Sequence, residues 1–293
     1  MDEPHEEEHS FSLGMFVNGV YAALEMIAGF ILGSIALTTD ALHNVSDIVS
    51  LGISYVAEKL FKRKPTARRT YGMRGASIIA AVLNGVIIIT AMSVVILEAV
   101  RKLNSTVPIS STEVMVIAGF GILVNGGTAL LFVKNRKNDL NVKGAFLHML
   151  GDTGVSLAVV ISGLVIQMTG WSWVDPVIAI LMALFVIVEA ISLLKDAVNM
   201  ELEAVPTNVD TRAVEQEILD FDSVVSLHDL HIWSLSTKDV ALTVHLRRDT
   251  RSDNDLFICQ LEKKLHADFG IDHMTIQIEC GNYSELEKTD NTF

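Results

Sequence analysis

The run SIIAAVLNGVIIITAMSVVIL, from Ser77 to Leu97, holds 21 residues without a charge, and a water-soluble fold has little use for such a segment. A hydrocarbon core about 30 Å thick is spanned by on the order of 20 helical residues. That length picks out six segments, near 12–33, 38–60, 77–100, 113–134, 143–168 and 174–195. Four qualify readily, while the second and the fifth each carry a histidine and an aspartate. Composition agrees: 50% of the residues are hydrophobic and the mean hydropathy is +0.42, above that of an ordinary soluble chain. The expectation is an α-helical membrane protein with six transmembrane helices and the lipid bilayer as its solvent.

Lysine and arginine collect in the 2–3 connection, KLFKRKPTARRTYGMRG, and the 4–5 connection, VKNRKNDLNVKG, whereas the 1–2 and 5–6 turns have none. Basic loops stay on the cytoplasmic side, so both termini are expected in the cytoplasm. Acids crowd the two ends. Residues 1–10 hold five acids and no base, and residues 201–293 hold 19 acids against 8 bases. Such surfaces repel a phosphate backbone, which excludes nucleic acid as a partner. Cys259 and Cys280 are too few for a disulfide framework and fit a reducing compartment. The start, MDEPHEEEHS, lacks the basic region of a cleaved signal. It is expected to form an acidic cytoplasmic tail over 1–11, with His5 and His9 either capturing metal weakly or simply solvated.

After Lys195 the pattern changes. TRAVEQEILDF has helical periodicity, HDLHIWSL and VALTVHLRR alternate as strands do, DNDLFICQLEKKLHADF is a second amphipathic helix and HMTIQIEC a third strand. This α-β-β-α-β order predicts a small cytoplasmic domain over 201–283 with helices on one face of a sheet. It follows a membrane domain over 12–200 and precedes a polar, disordered end at 284–293.

The stretches TTDALHNVSD, Thr38 to Asp47, and GAFLHMLGD, Gly144 to Asp152, explain why two membrane segments carry costly groups. Residues i and i+4 share a helix face, so His43 with Asp47, and His148 with Asp152, each present an imidazole and a carboxylate to one side. An ionisable group at mid-bilayer costs at least about 2.5–3.5 kcal/mol, so such groups face a partner or a cavity. Packed together, the two pairs make an N₂O₂ set of the kind that binds zinc. The alternative is interhelical hydrogen bonding, a part to which Asn18, Asn84 and Asn125 are also suited. Loading zinc requires neutral imidazoles and ionised carboxylates, so metal and protons compete for the same groups. A zinc hydrolase would show three ligands, an open position and a nearby base. With four candidate ligands and no HExxH the chain does not read as an enzyme. A membrane-anchored metal sensor is the remaining rival, and it has no need of a buried quartet.

HNVSD and HMLGD, together with TYGMRGASIIAAVLN, LNVKGAFLHMLGDTGVS, HDLHIWSL and HMTIQIE, resemble the cation diffusion facilitator family, and most of all its zinc-exporting bacterial branch. The resemblance covers nearly the whole chain. It implies a homodimeric zinc/proton antiporter that exports cytoplasmic Zn²⁺ by alternating access, with a ferredoxin-like cytoplasmic domain and a transport site at His43, Asp47, His148 and Asp152. Cd²⁺ and other divalent cations are expected as lesser substrates, because nitrogen and oxygen sites discriminate poorly among them. Some relatives carry metal ligands in the 2–3 loop, but here Met73 and Ser77 replace them, so no metal is expected there. The 4–5 loop lacks the histidine-rich insertion of vesicular relatives, which favours a bacterial inner membrane.

Related proteins bind regulatory metal where His228, His231, His245 and Glu279 stand. Strand alternation puts His245 on one face with Ala241 and Thr243, and Glu279 on one face with His273, Thr275 and Gln277, and the expected tail site is built from His231, His245 and Glu279, with Zn²⁺ as its regulatory ligand. Glu25 is the deepest further acid and is placed to line a water path, while Glu98 and Glu189 reach the interface. Gly29 and Gly33 are expected to serve close helix packing.

Overall fold

The computed structural model describes residues 3–103, 109–133, 140–250 and 252–279. The end at 284–293 lies outside the described residues, as does most of the basic part of the 4–5 connection. Six long helices come first: α1 (Glu3–Leu32), α2 (Ile35–Phe61), α3 (Ala76–Lys102), α4 (Ser111–Phe132), α5 (Leu140–Thr169) and α6 (Val174–Glu201). Among the described residues, four contain stretches long and apolar enough to cross a membrane, namely Ala76–Lys102, Ser111–Leu130, Phe146–Thr169 and Val174–Glu201. The apolar part described in α1 is shorter, Asn18–Leu32, and α2 is interrupted by Asp40, His43 and Asp47. Helix α1 begins at Glu3.

The chain divides into two compact units. One comprises Met1–Ile53 with Leu83–Ser192, the other Ser54–Val82 with Leu193–Phe293. In the first, Leu37, Met92, Val114, Val159 and Ala183 bring α2 to α6 into one buried apolar cluster. The outward faces of the same helices expose Leu97, Phe120, Leu164 and Val188. A chain apolar on both its inner and outer faces is built for lipid.

Small residues set the helix spacing. A Cβ added at Gly29 would meet the Thr38 backbone nitrogen at 2.9 Å, and one at Gly163 the Ser111 carbonyl oxygen at 3.2 Å. Gly33 has φ +70° and turns the chain between α1 and α2, so of the expected pair only Gly29 serves packing. The start of α2 is capped from another helix: Asp175 Oδ2 accepts from the Ile35 N–H at 2.6 Å and the Ala36 N–H at 3.3 Å, and Oδ1 accepts from Ser34 Oγ at 2.5 Å. The orphan donors of that buried helix end are thereby satisfied.

The second unit contains α7 (Thr211–Leu219), β1 (Val224–Ser234), β2 (Val240–Arg248), α8 (Asn254–Phe269) and β3 (His273–Glu279), in the expected order. The sheet runs β1-β2-β3, antiparallel between β1 and β2 and parallel between β2 and β3. A parallel pair needs a crossover, which α8 supplies. Asp210 caps α7 by accepting from the Arg212 and Ala213 N–H groups. Val214 and Ile218 of α7, and Leu261 and Leu265 of α8, bury against Leu242, Val244 and Leu246, leaving His245 on the opposite face of the sheet. The 2–3 connection lies in this unit too. Ser77 Oγ accepts from the Thr237 N–H at 3.1 Å, Glu58 pairs with Lys238 at 3.1 Å and Arg74 with Asp239 at 3.2 Å.

Candidate metal centre

His43 and Asp47 lie one turn apart on α2, His148 and Asp152 one turn apart on α5, and the four side chains meet. His43 Nε2 is 3.2 Å from Asp152 Oδ1 and 4.0 Å from Asp47 Oδ2. His148 Nε2 is 3.3 Å from Asp47 Oδ2 and 3.8 Å from Asp152 Oδ2. Every nitrogen therefore faces both carboxylates. Ligands at zinc's usual bond lengths stand about 3.3 Å apart at the corners of a tetrahedron, close to these four edges. His43, Asp47 and Asp152 offer donor atoms that all lie within 4.8 Å of one another. His148 stands outside that group of three and meets its two aspartates, its ring centroid 6.3 Å from that of His43.

Burial divides the quartet. The Asp152 side chain is 3% exposed and that of His43 11%, against 28% for Asp47 and 47% for His148. One imidazole and one carboxylate are thus fixed inside the helices, and the other two form the more open side.

Behind His43 lies a second polar group that motif spacing does not reveal. Tyr21 Oη donates to Glu25 Oε1 at 2.9 Å, Asn44 Nδ2 donates to Glu25 Oε2 at 3.2 Å and Ser156 Oγ donates to Asp40 Oδ2 at 2.8 Å. Glu25, Asp40 and Ser156 are fully buried. Asp40 stands three residues before His43 in TTDALHNVSD. A third ionisable group in one apolar stretch was the signal that could have exposed it.

In the cytoplasmic unit the expected trio changes one member. The β1–β2 register pairs His228 with His245 and His231 with Thr243. His245 Nδ1 is 3.2 Å and His228 Nε2 3.7 Å from Glu279 Oε1, and these three form a possible ligand group. His231 is drawn instead to Asp229, at 2.9 Å. The register sets His228, not His231, directly opposite His245, and a bulge with Asp229 at φ 55° lies between the two histidines. One extra residue restores both histidines to the same face, where strict alternation separates them. His273 packs edge-on against Tyr71, away from Glu279 at the other end of β3.

Comparison with known proteins gives a consistent picture. The family profile of the cation efflux transmembrane domain matches residues 12–200, and that of the cation efflux protein cytoplasmic domain matches residues 206–280. The metal cation efflux system protein CzcD of Cupriavidus metallidurans is 36% identical, over 95% of this chain and 88% of that one. The cadmium, cobalt and zinc/H(+)-K(+) antiporter of Bacillus subtilis is 32% identical, over 88% and 85%. The zinc transporter ZitB of Escherichia coli is 32% identical, over 90% and 84%. A solved metal-bound C-terminal domain of CzcD is 42% identical over 25% of this chain and all of that one, with a TM-score of 0.23.

Proposed function

The chain belongs to the cation efflux family, and on that premise we propose that it exports cytoplasmic Zn²⁺ in exchange for protons, loading the ion on His43, Asp47, His148 and Asp152. The observation that carries this reading is the convergence of two imidazoles and two carboxylates from α2 and α5, each nitrogen within 4.0 Å of both aspartates. Relatives named for transport of zinc, or of cadmium, cobalt and zinc, support the substrate class.

Charge explains the exchange. Two protonated imidazoles beside two carboxylates are neutral together. Zn²⁺ between two carboxylates and two neutral imidazoles is neutral as well. Protons and metal thus replace one another without leaving net charge in a low-dielectric site, where an unpaired charge is expensive. Binding alone moves nothing, so the helices must present the quartet to each side of the membrane in turn.

In this account α1 to α6 all cross a bacterial inner membrane with both termini in the cytoplasm, and the cytoplasmic unit is a ferredoxin-like domain through which two copies dimerise. Zn²⁺ held by His228, His245 and Glu279 regulates transport. Reconstitution in liposomes with an entrapped zinc indicator tests the reading. Wild type is expected to show flux stimulated by a pH gradient, and His148→Ala to lose it. Undiminished flux in the variant would move the site elsewhere, and zinc binding without flux in the wild type would favour a metal sensor.

A further inference from the structure

The cluster behind His43 contains two carboxyl groups and too few donors. Glu25 and Asp40 are close neighbours: Asn44, one turn after Asp40 on α2, donates to Glu25, and the donors Tyr21 and Ser156 of the two carboxyl groups meet at Gly121. Of their four oxygens, Glu25 Oε1 takes the Tyr21 hydroxyl, Glu25 Oε2 the Asn44 amide and Asp40 Oδ2 the Ser156 hydroxyl. Asp40 Oδ1 is buried and has no donor. Two ionised carboxylates this near each other, shut away from water, repel each other and leave that oxygen unsatisfied. A single proton between them removes both penalties, as in any carboxyl pair that shares one.

We propose that Glu25 and Asp40 form a proton-binding site separate from the metal quartet, holding one shared proton in this conformation and releasing it when the helices rearrange during transport. The proposal rests on the antiport reading and adds a proton carrier that ligates no metal. The donors argue for a proton over a second metal ion. A cation site turns acceptor oxygens inward, whereas Tyr21, Asn44 and Ser156 turn O–H and N–H groups onto the carboxylates.

The surroundings are shaped for this arrangement. A Cβ at Gly121 would lie 2.8 Å from Ser156 Oγ and 3.0 Å from Tyr21 Cζ, so only glycine in α4 leaves both donors in place. The charged and titratable groups around the pair are Tyr21 on α1, His43 on α2 and Asp152 on α5. Glu25 belongs to α1, Asp40 to α2 and Ser156 to α5. The shared proton thus ties the two ligand-bearing helices to α1, and its loss would set like charges against each other across that junction.

Three measurements on full-length protein decide the matter: infrared spectra of the metal-free form, zinc binding by calorimetry and zinc flux in liposomes, each for wild type, Glu25→Gln and Asp40→Asn. The expected result is a protonated-carboxyl band at neutral pH in wild type that Asp40→Asn alters. Both variants should bind zinc with unchanged affinity and show weaker stimulation by the pH gradient than wild type, keeping only the share carried by the quartet's imidazoles. Gradient stimulation equal to wild type in both variants would overturn the proposal, because the proton would then be only structural. If the variants aggregate, wild type alone decides, since absence of the band in the metal-free protein at neutral pH ends the proposal. Failure of the antiport reading looks different: wild type itself would then show no gradient stimulation.

Discussion

Asp152 is the most deeply set of the four candidate ligands, and it faces both imidazoles, at 3.2 and 3.8 Å. Charge interactions strengthen as water is excluded, so the buried carboxylate should contribute more than its open counterpart. Asp152→Asn is therefore expected to weaken zinc binding by more than about tenfold, and by more than Asp47→Asn does. Calorimetry on the two variants checks the order, and equal losses would contradict it. The competition between metal and protons also has a definite sign. Zinc needs the imidazoles neutral, so apparent affinity should fall as pH drops through the histidine range, ordinarily about 6.5. Affinity that is flat there would remove the imidazoles from the site. These residues were legible because the i, i+4 relation is local to a helix. Which histidine stands opposite His245 was not, because that follows from the register of β1 against β2. Accordingly, His228→Ala should lose zinc bound at the cytoplasmic unit while His231→Ala keeps it, as counted by metal content of purified full-length protein.

Elements are held at the spacing the site requires by features with weak sequence signals. Gly29 allows the end of α1 to approach the start of α2, where Thr38 Oγ1 and the Thr38 backbone nitrogen leave no room for a Cβ. Gly29→Leu forces that contact apart. Overpacking of this kind costs about 1–3 kcal/mol, and it should appear as a lowered melting temperature with reduced zinc flux. An unchanged melting temperature would mean that the two helices do not depend on this approach. The order of the elements in the cytoplasmic unit was readable because strand and helix periods differ and turn residues separate them. The donor-poor Glu25 and Asp40 pair was half readable: the depth of Glu25 follows from its place in α1, but its partner comes from α2 and its neighbouring donors from three helices. The cap on α2 was likewise hidden, since Asp175 comes from α6, about 140 residues away in the chain.

For the whole molecule, family membership and the converging quartet lead to one account, in which zinc leaves the cytoplasm as protons enter. The apolar outer faces of α3 to α6 put this chemistry in a membrane. In the cytoplasmic unit, Ser77, Glu58 and Arg74 contact Thr237, Lys238 and Asp239 at the β1–β2 turn. Ser77 thus has a structural partner in that turn. The most direct test follows zinc and proton movement together in one population of liposomes, with an entrapped zinc indicator and an entrapped pH indicator. The account predicts opposed fluxes that begin together on zinc addition and vanish together in His148→Ala. Zinc movement without a proton counterflow, or wild-type flux in that variant, would contradict it.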